Sequence, residues 1–190
     1  MSPKSKTYIK NLTLSAMFLA IGLVLPFFTG QLRDIGNMLL PMHLPVFLCG
    51  LICGWQYGAA VGLILPVFRS VLFGMPPLPL AIVMAFELAT YGGLSGFLYG
   101  HSKWKCVLAL YRSMIIAMLG GRVVWAIGRM ILAGLSPDRG FSLEIFLTSG
   151  FLEAIPGIIL QLTLIPVIMV ALDRTGMVPF SKRNSAVKEN

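Results

Sequence analysis

Long apolar stretches alternate along the chain with short polar or proline-rich breaks. Most of these stretches extend over about 17 to 25 residues, the length that crosses the hydrocarbon core of a bilayer at a helical rise of about 1.5 Å per residue. A helix also satisfies its own backbone hydrogen bonds, which lipid cannot do. The pattern therefore predicts six transmembrane helices, at about residues 12–28, 39–53, 57–73, 80–99, 107–132 and 146–172.

The breaks between these segments differ in character. A polar loop covers about residues 29–37, the proline cluster MPPLP covers 75–79, and the basic stretch HSKWK covers 101–105. Lysines precede the first apolar segment as in a secretory signal, but no small-residue cleavage site follows it, so we expect an uncleaved span. We expect one six-helix membrane domain over residues 1–172 and a polar tail over 173–190.

Composition supports a membrane protein. Hydrophobic residues make up 57% of the 190 residues and charged residues 12%, whereas a soluble domain carries about 25% charged residues. The mean hydropathy is +0.85. A large soluble helical core is therefore disfavoured. The net charge of +8 is better explained by charges that orient membrane helices than by a nucleic-acid surface.

The placement of lysine and arginine predicts the orientation. Cytoplasmic loops of membrane proteins are enriched in these residues. If the N-terminus is cytoplasmic, nine basic residues lie on that side and two on the other, so we expect both termini in the cytoplasm. The nine are Lys4, Lys6, Lys10, Lys103, Lys105, Arg174, Lys182, Arg183 and Lys188, and the two are Arg33 and Arg139, each next to an aspartate.

Small residues recur at helical spacing. In lipid they allow close approach of helix backbones, so we expect the glycines at 50, 54, 58 and 62 and those at 92, 93 and 96 to pack helices together. Cys49 and Cys53 share a helix face, but no further ligand completes a zinc site. We interpret them as packing residues and expect no metal.

Charged and polar side chains inside the spans are the candidate chemistry. Arg122 and Arg129 lie seven residues apart on one face of the fifth span, with Trp125 between them. In the predicted orientation, almost all buried ionisable groups fall in the outer half of the bundle. We predict that these residues line a substrate site: Asn37, His43, Arg69, Glu87, Tyr91, Arg122, Trp125, Arg129, Glu153 and Gln161.

Two explanations fit such buried charges. A charged side chain that faces lipid at the centre of the membrane costs about 2.5–3.5 kcal/mol, so we expect these side chains to turn inward. They could form structural bridges, Arg122 with Glu153 and Arg69 or Arg129 with Glu87, which fix the order of the helices. Alternatively, three arginines facing two glutamates would leave a guanidinium for an anionic ligand, ideally a carboxylate held by two hydrogen bonds.

The chain resembles the substrate-binding S components of energy-coupling factor (ECF) vitamin transporters of prokaryotes. Three features carry the resemblance: six spans in about 190 residues with cytoplasmic termini, the sequence AMFLA at 16–20, and the two sequence stretches GNMLLPMHLPVFLCGLICG and FGMPPLPLAIVMAFELATYGGLSG. The last two stretches are similar to pantothenate-type S components. The resemblance implies a multi-pass protein of the prokaryotic cell membrane that captures a small vitamin from outside.

The resemblance also implies partners. An S component delivers its vitamin by associating with one membrane coupling protein and two cytoplasmic ATPases, and the small-residue face of its first helix docks on the coupling protein. Ala16 and Ala20 take that role here. The chain has no GxxxxGK[ST] loop, so ATP is used by the partners alone and no cofactor is expected. The loops at about 29–38 and 74–79 correspond to the loops that gate the pocket.

Pantothenate is the leading substrate hypothesis, because its one carboxylate matches the arginine surplus. Folate-like, pyridoxine-like and queuosine-precursor ligands remain open. Outside transport, an intramembrane enzyme is disfavoured because HExxH is absent and His43 and His101 are the two histidines. A purely structural subunit would contain buried bridges without affinity for a ligand. A secondary transporter working alone is disfavoured because six spans show no inverted repeat.

Overall fold

The computed structural model describes residues 3–29, 41–134 and 155–174, and these are helical apart from short connections. Asn37, Glu153, most of the 29–37 loop and the tail beyond residue 174 lie outside the described residues. The all-helical prediction is confirmed. The helices are α1 (Pro3–Thr29), α2 (His43–Cys53), α3 (Trp55–Phe73), α4 (Leu78–His101), α5 (Val107–Gly134) and α6 (Ile155–Arg174).

Five of these helices, α1 and α3 to α6, are long and apolar enough to cross a membrane. The remaining helix, α2, has 11 described residues. It therefore rises about 16 Å, roughly half of a hydrocarbon core of about 30 Å. A multi-pass helical membrane protein is confirmed, while the count of six spans, the cytoplasmic termini and the single domain over 1–172 stay predictions.

Successive helices run antiparallel, and two hydrogen bonds position α1 against its neighbours. The side-chain amide of Asn11, in the third turn of α1, donates to the carbonyl oxygen of Cys53 at 3.2 Å, so the first half of α1 lies beside the end of α2. Arg69 Nη1 donates to the carbonyl oxygen of Leu23 at 3.2 Å, so the second half of α1 lies beside the end of α3. We call the end with residues 74–77 the proline-loop end and the end with residues 102–106 the basic-loop end.

The proline loop is shorter than the cluster MPPLP predicts. Helix α4 already begins at Leu78 and includes Pro79 in its first turn. A proline is tolerated there because the first backbone N–H groups of a helix have no partner within that helix. The connection between α3 and α4 is therefore limited to residues 74–77.

Helix α4 is the centre of the bundle. It packs against α2, α3 and α5, while α1 packs on α2 and α3, and α6 packs on α5 and α2. A glycine seam forms where α2, α3 and α4 meet, and it consists of Gly50, Gly58, Gly62, Gly92 and Gly96.

Backbone atoms are in direct contact along the glycine seam. A Cβ on Gly58 would lie 2.5 Å from the Cα of Gly50, and one on Gly62 would lie 2.5 Å from the carbonyl carbon of Leu88. The packing role predicted for the five seam glycines is confirmed. It allows α4 to lie close to α2 and so brings the polar side chains of these two helices into contact.

The other two predicted packing glycines, Gly54 and Gly93, lie outside the glycine seam. Gly54 forms the turn between α2 and α3 with a φ of 106°, and a Cβ there would meet no other atom within 4 Å. This backbone conformation favours glycine. Gly93 faces the Cβ of Ala59 at 3.5 Å, an ordinary contact distance, so an alanine would fit.

Adjacent glycines in α4 therefore provide a matched test of the seam. We expect Gly92→Ala to lower the stability in detergent by about 1–3 kcal/mol, because its Cβ would meet the backbone of Gly58. Gly93→Ala should be neutral or slightly stabilising, since alanine favours a helix. Thermal unfolding of both variants measures the difference. Equal midpoints would contradict the close backbone contact.

Candidate functional site

The short helix α2 begins deep inside the bundle. Its first residue, His43, has Nε2 3.9 Å from the Oε1 of Glu87. Glu87 is nine residues after the start of α4, which places it about 13 Å along that helix from the proline-loop end. The N-terminus of α2 therefore lies inside the bundle, about 13 Å from the proline-loop end, next to the polar groups of α4.

Glu87 is the centre of a buried polar cluster. Its side chain is 3% exposed, and three groups from three helices converge on its Oε1 atom. Tyr91 donates its hydroxyl at 3.0 Å, Arg122 Nη1 lies at 3.4 Å, and His43 Nε2 lies at 3.9 Å. The cluster thus joins α2, α4 and α5 through one carboxylate oxygen.

Aromatic packing positions this cluster. Tyr91 lies one helical turn after Glu87, and its ring contacts those of His43 and Phe47 with centroid distances of 5.1 and 5.2 Å. On the other side, a Cβ on Gly121 would lie 2.5 Å from the ring. The absence of a side chain at Gly121 therefore lets Tyr91 lie against α5, directly beside Arg122.

Phe47 and Gly121 contribute to the site although neither was predicted from the sequence. Phe47 lies one turn after His43, so helical spacing could have placed it next to the same partner. The pair Gly120-Gly121 directly before Arg122 is a sequence signal of close helix approach, and it could have pointed to Gly121.

Several buried polar atoms of the cluster and of α6 have no hydrogen-bond partner among the described residues: Arg122 Nε and Nη2, both ring nitrogens of His43, and Gln161 Nε2. The Arg122 and Gln161 atoms are donors, and a neutral imidazole offers one donor and one acceptor. Arg122 is 7% exposed, and His43 and Gln161 are 2% exposed. Buried polar groups without partners cost free energy and are rare in folded proteins. These donors therefore favour a bound group that supplies acceptors.

The arrangement of the Arg122 guanidinium specifies that group further. Nη1 faces Glu87, while Nε and Nη2 have no hydrogen-bond partner among the described residues. These two nitrogens form the side edge of the guanidinium, where two parallel N–H bonds match the two oxygens of a carboxylate.

Arg69 and Arg129, which the structural-bridge explanation allowed as partners of Glu87, do not pair with it, and Arg122 takes that place. The Arg69 guanidinium lies 5.3 Å from the ring centroid of Phe27 and 5.9 Å from that of Phe73. Arg129 lies over the ring of Trp125 at 5.7 Å. Arg122 reaches Glu87 because Gly121 allows close packing of α5 on α4. Arg69 instead turns toward α1, where aromatic rings and the carbonyl oxygen of Leu23 stabilise its charge.

The ten predicted site residues thus divide into groups. The structure brings His43, Glu87, Tyr91 and Arg122 together and buries Gln161 on α6. It places Arg69, Trp125 and Arg129 in contacts outside this cluster, while Asn37 and Glu153 lie outside the described residues.

The electrostatic balance of the cluster differs from the expected surplus of arginine. Within the described residues it contains one arginine and one glutamate, so the pair itself is neutral. The N-terminus of α2 adds partial positive charge, and no described side chain caps it. No group of three or more potential metal ligands occurs in the described ranges. The cluster offers donors and positive potential to an uncharged or anionic acceptor.

Comparison with known proteins gives one family. The family model "ECF transporter, substrate-specific component" matches residues 10–169. No curated protein and no solved structure matches the chain.

A double-mutant cycle tests whether the Glu87–Arg122 pair is mutually dependent. Glu87→Gln leaves a buried guanidinium that cannot lose its charge, so we expect a loss of about 3–5 kcal/mol in stability. Arg122→Gln should cost less, because a carboxyl group can take up a proton and become neutral. The double variant should be more stable than Glu87→Gln alone. Thermal unfolding in detergent measures all four proteins, and strictly additive effects would argue against the pair.

Proposed function

The chain belongs to the family of ECF transporter substrate-specific components, and on that premise we propose that it captures a small carboxylate-bearing vitamin, with pantothenate as the leading candidate. The family makes it the substrate-capture subunit of an ECF importer and a transporter component rather than an enzyme. Membership also implies association with the membrane and ATPase components of an ECF module.

The side edge of Arg122, whose two donors have no partner among the described residues, is the observation that supports a carboxylate. Two parallel donors at one buried guanidinium are best satisfied by two acceptors in one plane. The contact between Nη1 and Glu87 holds the guanidinium in place, so the ligand does not have to order it on binding. A purely structural pair of Glu87 and Arg122 leaves these two donors without a partner among the described residues.

Pantothenate supplies groups for the remaining buried donors. Its carboxylate suits the Arg122 edge, its amide oxygen can accept from Gln161 Nε2, and its hydroxyl groups can bond with the ring nitrogens of His43. Asn37 and Glu153 remain candidate contacts from the parts of the chain outside the described ranges. Folate-like, pyridoxine-like and queuosine-precursor ligands are competing candidates, and they would present different acceptors to the same donors.

The proposed direction of capture follows from the charges. We take the basic-loop end and both termini to be cytoplasmic, because cytoplasmic loops of membrane proteins are enriched in lysine and arginine. The polar cluster then lies in the outer half of the bundle, about 13 Å below the proline-loop end. A vitamin would enter from outside at that end, in the cell membrane of a prokaryote.

Arg122→Lys separates the role of the charge from that of the side edge. Lysine keeps a positive charge next to Glu87 but lacks the paired donors. We expect the affinity for pantothenate to fall about 10- to 100-fold, as measured by calorimetric titration of the purified chain. The matched control is Arg174→Lys at the end of α6, which should change the affinity less than about twofold.

A ligand control sharpens the same experiment. The alcohol analogue of pantothenate, in which a CH₂OH group replaces the carboxylate, should bind the wild-type chain more weakly than pantothenate does. The Arg122→Lys substitution should then reduce the affinity for this analogue only slightly further. Equal losses for both ligands would contradict the proposed carboxylate contact. An absence of pantothenate binding in the wild-type chain would exclude pantothenate as the vitamin.

Helix α1 carries the proposed docking face for the coupling protein. Ser15 and Phe18 are buried against the bundle, whereas Ala16 and Ala20 are exposed one turn apart on the outward side. Two small residues at this spacing allow a partner helix to approach closely. The exposure of this pair supports the docking role that the family resemblance implies.

Bulky substitutions test this docking face. We expect Ala16→Leu/Ala20→Leu to reduce recovery of the coupling protein and ATPases with the chain about tenfold, because the added side chains hold the partner helix away. The matched control is Ala60→Leu, at an exposed alanine of α3. Co-purification from a co-expressing strain measures recovery, and monodispersity in detergent checks the fold. Undiminished recovery with the α1 double variant would contradict the docking role.

A further inference from the structure

A pocket lies at the opposite end of the molecule from the polar cluster. It has a volume of about 500 Å³ and is formed by the basic loop and the first turns of α5. Its walls include His101, Lys103, Trp104, Leu108 and Arg112. We call it the basic-loop pocket. It lies where α4 ends and α5 begins, which is the depth of a membrane–water interface if these helices span the bilayer.

The polar side of the basic-loop pocket is positively charged. Lys103 and Arg112 contribute two cationic side chains, and no ion pair involves either of them within the described residues. Helix α5 begins beside the pocket at Val107, so its positive N-terminal end adds to the same potential. His101 is held at the wall by Nδ1, 2.9 Å from the carbonyl oxygen of Phe97.

Other side chains at the basic-loop end add to the positive potential of the pocket. The described residues place one acidic side chain there, Asp173 of α6. The cationic side chains at this end outnumber it, and they are Lys6, Lys10, Lys103, Lys105, Arg112 and Arg174.

The other side of the basic-loop pocket is apolar and continues into the membrane. Leu108 is 79% exposed and Trp104 is 56% exposed. Ile115 and Leu119 follow Leu108 up the same face of α5 and are also exposed. Arg112 lies between Leu108 and Ile115 on this stripe. A guanidinium inside an exposed apolar stripe is costly unless it extends to the membrane–water interface, where it meets water and the phosphates of the lipid head groups.

From this arrangement we propose that the basic-loop pocket binds one anionic glycerophospholipid, with its phosphate on Lys103 and Arg112 and an acyl chain along Leu108 and Ile115. A cationic head and an apolar wall that is continuous with the helix surface match the two halves of such a lipid. A soluble phosphate compound would bind only to the cationic side chains of the pocket and would leave its apolar wall uncovered. Trp104 lies at the head-group level that tryptophan prefers in membrane proteins.

Native mass spectrometry of the full chain in detergent tests this site. The probes are dioleoylphosphatidylglycerol and, as the control without net charge, dioleoylphosphatidylcholine. We expect one phosphatidylglycerol to be retained in preference to phosphatidylcholine. Lys103→Gln and Arg112→Gln should each lower its affinity about fivefold. The matched control Lys105→Gln removes the same charge from the same loop outside the pocket lining, and it should change affinity less than about twofold.

Three results would overturn the proposal. Equal retention of the two lipids would show ordinary annular lipid, and an equal effect of Lys105→Gln would show diffuse surface charge. Full displacement of phosphatidylglycerol by millimolar inorganic phosphate or glycerol phosphate would show a soluble-phosphate site. The lipid measurement needs no vitamin, so its result is independent of the proposed transport function.

Discussion

A carboxylate and a guanidinium can stay buried between membrane helices only if each stabilises the other, since neither lipid nor apolar side chains can replace water around them. Glu87 and Arg122 meet this condition through a contact of 3.4 Å, with Tyr91 donating to the same carboxylate oxygen. The pair constrains the spacing of α4 and α5, and His43 extends the constraint to α2. Much of the surrounding packing can be understood as the means of bringing these three helices close enough.

That packing depends on glycines, which have no side chain to hold the helices apart. Gly50 and Gly92 bring α2 and α4 into backbone contact, and Gly121 leaves space for the ring of Tyr91 against α5. Because α2 starts beside Glu87, about 13 Å along α4 from the proline-loop end, its N-terminus lies at the polar cluster. The result is a buried region with more donors than acceptors among the described residues, which is a suitable environment for a carboxylate ligand.

The helices were predictable from the sequence because their signal is local. Apolar length and proline breaks placed α3, α4 and α5 to within about two residues at their ends, as expected when lipid enforces helical hydrogen bonding. The glycine packing at Gly58 and Gly62 was predictable for the same reason. The half-length of α2 was not, because an apolar run alone does not show at what depth a helix begins.

The site was predictable in composition but not in pairing. Membership of Glu87, Tyr91 and Arg122 in a polar region follows from the cost of their burial in lipid. Which arginine meets Glu87 depends on the rotation of α5 and on the space at Gly121, and a single sequence specifies neither directly. The surroundings of Arg69 were equally hard to predict, since aromatic rings of two different helices stabilise its charge, whereas pairing with Glu87 was one of the alternatives from the sequence.

If the side edge of Arg122 holds the ligand, an experimental structure of the full chain, purified with the small molecule it carries, will reveal the contact. We expect ligand density with acceptor atoms about 3 Å from both Nε and Nη2 of Arg122, while Nη1 stays on Glu87. A ligand bound elsewhere, with both of these nitrogens bonded to groups of the protein itself, would contradict this role of Arg122.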